Sequence, residues 1–209
     1  MKFVEKRPDW FYSFLEIPNL EEIQKEMRFI NSKKFIMLNR AFNPYYTNLF
    51  RQDMDEKEYP ATIEWMKSVG LYEKFMRILL TQSKTTAPHV HIDTVDPEFC
   101  NCSINIPLDY CEGTYTAFYK TANPEAITPC FPDKGSQQSR NFAWLPVDQA
   151  VEVARVETIR PVLVNTTVLH RAISEEPRRT ICCFRFSPEL TYEEVQRLGI
   201  KKPFVQTDK

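Results

Sequence analysis

From residue 88 onward the chain breaks into short runs of β-forming residues closed by turn formers, and this half constrains the fold most. The runs cover 89–93, 102–108, 114–120, 151–157, 162–170 and 180–186. Asp96-Pro97, the segment 109–113 and a long stretch at 121–141 rich in Pro, Ser, Asn and Gly separate them. Residues 1–85 read mainly as helix. Asn19 caps a segment with Glu21 and Glu22 in its first turn and apolar residues at 20, 23, 27 and 30. A second helix is expected over 60–70, ending at Gly70, and a third over 188–198. The run 34–39 reads as a short strand, and 72–80 fits helix or strand. Strands at this spacing after a helical half predict a β-sandwich or barrel with helices outside it. The expected class is α+β with a mainly β core in a single domain over 1–209. Its parts are a helical elaboration at 1–85, the β core at 86–190 and a C-terminal helix at 188–200.

Composition removes several functions. The 27 Lys and Arg balance 28 Asp and Glu, and the basic residues occur singly or in pairs. Polymeric nucleic acid is therefore a disfavoured partner, since phosphate binding needs a clustered basic excess. Four glycines leave no Gly-rich phosphate loop, so P-loop and Rossmann readings fall away. The N-terminus lacks the apolar core of a signal peptide, and no apolar run approaches the ~18 residues needed to cross a bilayer. A soluble cytoplasmic protein without membrane contact is expected. The six cysteines (Cys100, Cys102, Cys111, Cys130, Cys182, Cys183) then read as free thiols, with adjacent Cys182 and Cys183 facing opposite sides of a strand.

The three histidines fall in two of the β-like runs. His89 and His91 share the first with Asp93, and His170 ends the run 162–170. Residues i and i+2 of a strand point the same way, so His91 and Asp93 project together, as do His89 and His91. His170 from a neighbouring strand would complete two imidazoles and a carboxylate on one face of a metal. That set suits non-haem Fe(II) with open positions, and zinc fits the same donors. Arg178 and Arg179 follow shortly after; one guanidinium turned inward could pair bidentately with a carboxylate bound beside the metal.

His91-x-Asp93, His170 and the following arginine resemble the signature of the Fe(II)/2-oxoglutarate-dependent dioxygenases. The ordered segments 105–108, 114–119, 163–170 and 179–186 resemble small phage and bacterial members of that family. The likeness covers about residues 85–190. It implies a double-stranded β-helix, or jelly roll. His91 and Asp93 would ligate Fe(II) from the second core strand and His170 from the seventh. An arginine on the eighth would hold the distal carboxylate of 2-oxoglutarate. The nine-residue spacing from His170 and alignment on Phe184-Arg185-Phe186 select Arg179, whereas the family's Arg-x-Ser/Thr pairing selects Arg178 with Thr180. We prefer Arg179. Asn105 would bind the other end of the co-substrate, or bond only to backbone. The implied reaction uses dioxygen to hydroxylate a C–H bond, with release of succinate and CO2. His89 becomes a neighbour at the entrance.

Three rivals stand beside this reading. A cupin-like metal protein would use His89, His91 and His170 with Asp93 or Asp96. A jelly-roll binding or structural protein would keep the barrel without turnover. A zinc hydrolase would need a general base near a metal-bound water. The substrate, a small molecule or a side chain, is not readable. Its determinants should lie in the helical part and the 121–141 segment, with Trp10, Phe11, Tyr12, Tyr45, Tyr46 and Phe50 as pocket or packing aromatics.

Overall fold

β-Strands occur in both halves of the chain. The computed structural model describes residues 8–34, 45–83, 89–93, 101–130, 142–174 and 179–198. In order, its elements are β1 (Tyr12–Phe14), α1 (Leu20–Lys34), β2 (Tyr45–Phe50), α2 (Pro60–Ser68), β3 (Phe75–Ser83), β4 (Val90–Ile92), β5 (Cys102–Asp109) and β6 (Thr114–Lys120). They continue with β7 (Thr128–Cys130), β8 (Phe142–Leu145), β9 (Val151–Glu157), β10 (Val162–Asn165), β11 (His170–Ser174), β12 (Arg179–Phe186) and α3 (Tyr192–Arg197). The strands form two six-stranded antiparallel sheets, ordered β1-β10-β5-β12-β3-β2 and β7-β8-β4-β11-β6-β9.

From β3 to β6, and again from β10 to β12, the chain switches sheet at every strand. That alternation is a double-stranded β-helix, with β3, β5, β10 and β12 in one core sheet and β4, β6, β9 and β11 in the other. β4 is thus the second core strand, β11 the seventh and β12 the eighth. The expected mainly β fold is present, with helices packed outside one sheet.

Several elements differ from the sequence reading. The N-terminal part supplies three strands as well as two helices, and residues 72–80 resolve into a short 3₁₀ turn followed by β3. Their apolar residues alternate across a sheet covered on both faces, which blurs the period. The run 162–170 is two strands in different sheets. The Asn165 side chain accepts from the Thr167 amide (3.1 Å) and hydroxyl (2.6 Å), closing a turn between β10 and β11. The 121–141 excursion contributes β7, which pairs with β8, and β8 pairs with β4. The run 34–39 lies outside the described residues apart from Lys34, the end of α1.

The largest core lies between the first sheet and the helices. Ile23, Met27 and Ile30, spaced for one face of α1, are at most 1% exposed against Ile63, Met66, Ile104, Ile106 and Phe184. Each such side chain stabilises by roughly 1.5–3 kcal/mol. α1 also repairs two unpaired backbone regions. β5 outruns β10, and Gln24 donates to the Pro107 carbonyl (2.7 Å) while Arg28 donates to that of Leu108 (2.6 Å). The start of α2 has no side-chain cap from Tyr59; instead Glu26 accepts from the amides of Ala61 (2.7 Å) and Thr62 (3.0 Å) and the Thr62 hydroxyl (2.6 Å). The outer face of the second sheet is covered differently. Val90, Ala117, Tyr119 and Leu145 pack there against Ala126, Ile127, Val147 and Ala150 from the 121–150 excursion. Among the described residues no helix is long and apolar enough to cross a membrane.

Candidate metal centre

Beside its apolar clusters, the space between the sheets holds buried polar and charged side chains, among them Ser103, Asn105, His170 and Arg179. Along β12, residues alternate cleanly: Cys182 and Phe184 join the helix-covered core, while Ile181 and Cys183 face inward with Leu79 and Cys111. This bears out the opposite facing of the two adjacent cysteines. Cys102, Cys111, Cys182 and Cys183 are buried; Cys100 lies outside the described residues. The same alternation sends Arg179 and Arg185 inward. On β5 it sends Ser103 and Asn105 inward beside them, in register with Arg185 and Cys183.

His170 opens β11, with its Cα opposite His91 of β4 on one side and Phe118 of β6 on the other. The two imidazoles lie with ring centroids 4.4 Å apart. Asp93 Oδ1 stands 3.4 Å from His91 Nε2 and 3.9 Å from His170 Nε2. Ligand atoms of His91, Asp93 and His170 all fall within 4.8 Å of one another, and among the described residues they are the group able to hold a metal ion. The donor chemistry fits. His170 Nδ1 lies 2.8 Å from the Val168 carbonyl, which can only accept, so Nδ1 carries the proton and Nε2 offers its lone pair. Burial, followed by the proximity of His170, pushes the His91 pKa down to about 4 from 6.5, so that ring is neutral at physiological pH.

Asp93 departs from the expected geometry. β4 ends at Ile92, and Asp93 sits in a bend one residue beyond the strand. Its direction is set by two other elements. Its amide donates to the Thr166 carbonyl (3.2 Å) in the β10–β11 turn, and Arg185 Nη1 of β12 donates to its Oδ2 at 2.5 Å. Burial opposes ionisation of this carboxyl. The Arg185 guanidinium and the two histidines outweigh it and hold the group well below the usual carboxylate range. Neither partner is far from water, at 17% and 19% side-chain exposure, yet removing one would strand a mostly buried charge at a cost of about 3–5 kcal/mol.

Arg185 is the residue that sequence reasoning missed. Its signal was a lone charge inside the apolar run 181–186, a position that needs a partner when buried. Arg179 is 5% exposed and reaches across the interior, where Nη1 lies 3.4 Å from the Tyr115 carbonyl of β6. Arg178 lies outside the described residues. Thr180, its companion in the alternative pairing, is buried on the face of β12 opposite Arg179. Asn105 faces the interior, with Oδ1 accepting from Ser103 Oγ at 2.7 Å.

His89 stands apart from the triad. It is exposed and packs at a tilt on Trp144 of β8, centroids 4.7 Å apart. Asp96 lies outside the described residues. Of the N-terminal aromatics, Phe11 and Tyr12 pack on Phe118, at 5.3 and 6.0 Å between centroids, as filling beside the triad. Trp10 and Phe50 are exposed at the surface.

No protein-family description matches the chain, and no curated protein matches it by sequence. Among solved structures it is similar to a Trichoplax adhaerens prolyl hydroxylase in complex with a hypoxia inducible factor oxygen degradation domain peptide, at 11% identity and a TM-score of 0.49 over 89% of this chain and 86% of that one. It is also similar to AviO1 from Streptomyces viridochromogenes, at 13% identity and TM-score 0.41 over 90% and 97% of the two chains. A Pseudomonas putida prolyl-4-hydroxylase matches at 11% identity and TM-score 0.34, over 84% and 91%.

Proposed function

We propose that this chain is an Fe(II)- and 2-oxoglutarate-dependent oxygenase that hydroxylates a C–H bond of a small-molecule or side-chain substrate. The observation that carries the reading is the convergence of His91, Asp93 and His170 within 4.8 Å, inside a jelly roll whose eighth core strand turns Arg179 inward. His91, Asp93 and His170 would hold the metal, which when bound supplies the dioxygen chemistry. The balance is R–H, O2 and 2-oxoglutarate giving R–OH, succinate and CO2; one oxygen atom enters the product and the other enters succinate.

The remaining roles belong to the protein. His170 presents Nε2 because the Val168 carbonyl takes the Nδ1 proton. Arg179 binds the distal carboxylate of 2-oxoglutarate, a charge-assisted contact in a site largely shielded from water. Asn105 lies on the same inner wall as a donor for the co-substrate's other end. Phe118, Phe11 and Val164 exclude water on one flank.

The test is anaerobic addition of Fe(II) and 2-oxoglutarate, watched for a visible metal-to-ligand charge-transfer band. Iron-dependent release of succinate on admitting oxygen should follow. A protein that binds zinc tightly, forms no such band and releases no succinate would make the oxygenase reading wrong.

A further inference from the structure

Asp93 lies outside the regular pleat of β4, so strand geometry alone does not decide which of its oxygens faces the imidazoles. The structure distinguishes them. Oδ1 is the atom close to both histidine Nε2 atoms, and Oδ2 is taken by Arg185. Arg185 is itself fixed, since its backbone pairs with Arg77 of β3 on one side and Ser103 of β5 on the other. A tie serving only to join the sheets would not require Oδ1 to be turned toward His91 and His170.

We propose that Arg185 is a positioning residue that confines Asp93 to one-oxygen ligation and so keeps a coordination position open for the co-substrate. This rests on the metal-site reading above. A carboxylate with both oxygens available can chelate a divalent ion and fill two positions. A guanidinium bound to Oδ2 opposes that rotation through a charge-assisted hydrogen bond and through its own repulsion of the metal. The position saved is one that a bidentate 2-oxo acid needs. Removal of Arg185 therefore has a specific signature: the metal stays, and ligands that need the open position are lost.

Co(II) serves as the probe, because its visible bands report coordination number. The crystal structure of the Co(II)-loaded wild-type protein should show one Asp93 oxygen on the metal and the other still on Arg185. Arg185→Gln should bind Co(II) within about tenfold of wild type, change the visible spectrum, and bind azide and 2-oxoglutarate at least about tenfold more weakly. Arg185→Lys should recover most of that loss. Two Asp93 oxygens on the metal in the wild type, or azide binding unaffected by Arg185→Gln, overturns the proposal. If Arg185→Gln does not fold, the wild-type structure and Arg185→Lys decide. Failure to bind Co(II) removes the metal site and this proposal with it. Binding of Co(II) and azide as described, without 2-oxoglutarate binding, overturns only the co-substrate and leaves the role of Arg185 standing.

Discussion

Arg179 and Arg185 stand on the same inward face of β12, six residues and therefore about 20 Å of strand apart. Arg185 touches Asp93, whereas Arg179 reaches the Tyr115 carbonyl deeper between the sheets. The two guanidiniums thus mark two depths of one polar interior, and they predict separable phenotypes. Arg179→Met should leave metal binding intact and weaken 2-oxoglutarate binding by roughly 10²-fold, the usual consequence of truncating a buried charged contact. Calorimetric titration of the metal-loaded protein measures this; unchanged affinity would move the co-substrate site elsewhere, with Arg178 the first place to look.

The histidines should divide in the same way. His170→Ala removes a donor whose tautomer is already fixed by Val168, and iron content after desalting should fall close to zero. His89→Ala removes only a ring packed on Trp144, so iron should be retained. Equal losses in both variants would support the ligand set built on His89.

The metal-free protein should be acid-sensitive in a defined window. The His91 pKa is about 4 in the fold against 6.5 when unfolded, so between those values the unfolded chain binds more protons. Stability from this group is full above pH 6.5, declines as pH falls, and is gone below about 4. At ~1.4 kcal/mol per pH unit the gap is worth about 3 kcal/mol. Thermal melts across pH 4–7 should therefore show a steeper decline for the wild type than for His91→Gln. Parallel curves would show that His91 is not the source.

Away from the site, Glu26 of α1 caps the first turn of α2 through three hydrogen bonds. Glu26→Ala should cost about 1–2 kcal/mol in denaturant unfolding, as for loss of a good cap, without altering metal affinity. A change below a few tenths of a kcal/mol would mean that water caps α2 equally well.

Much of this protein is local and so legible in the chain. The apolar stripe of α1 is set by neighbours within a few residues, and the runs at 114–120 and 151–157 match their strands to the residue. The pairing of His91 with His170 was foreseeable because few residue types hold metals and only three histidines occur. The split of 162–170 was harder to read, since the β-forming Thr166 and Thr167 follow Asn165 and mask the turn that carries the chain between sheets.

What the sequence by itself determined is the pattern of two histidines and an aspartate in two β-like runs, the β-rich second half and the spacing that leads from His170 to an arginine. What only the tertiary structure decided is the aim of those groups. Asp93 lies past the end of its strand, so its carboxylate is directed by Thr166 and Arg185, 73 and 92 residues further along the chain. The inward turn of Arg179 and Arg185 likewise depends on which face of β12 the helices cover. Strand alternation says that two side chains share a face; only packing decides which face is inside.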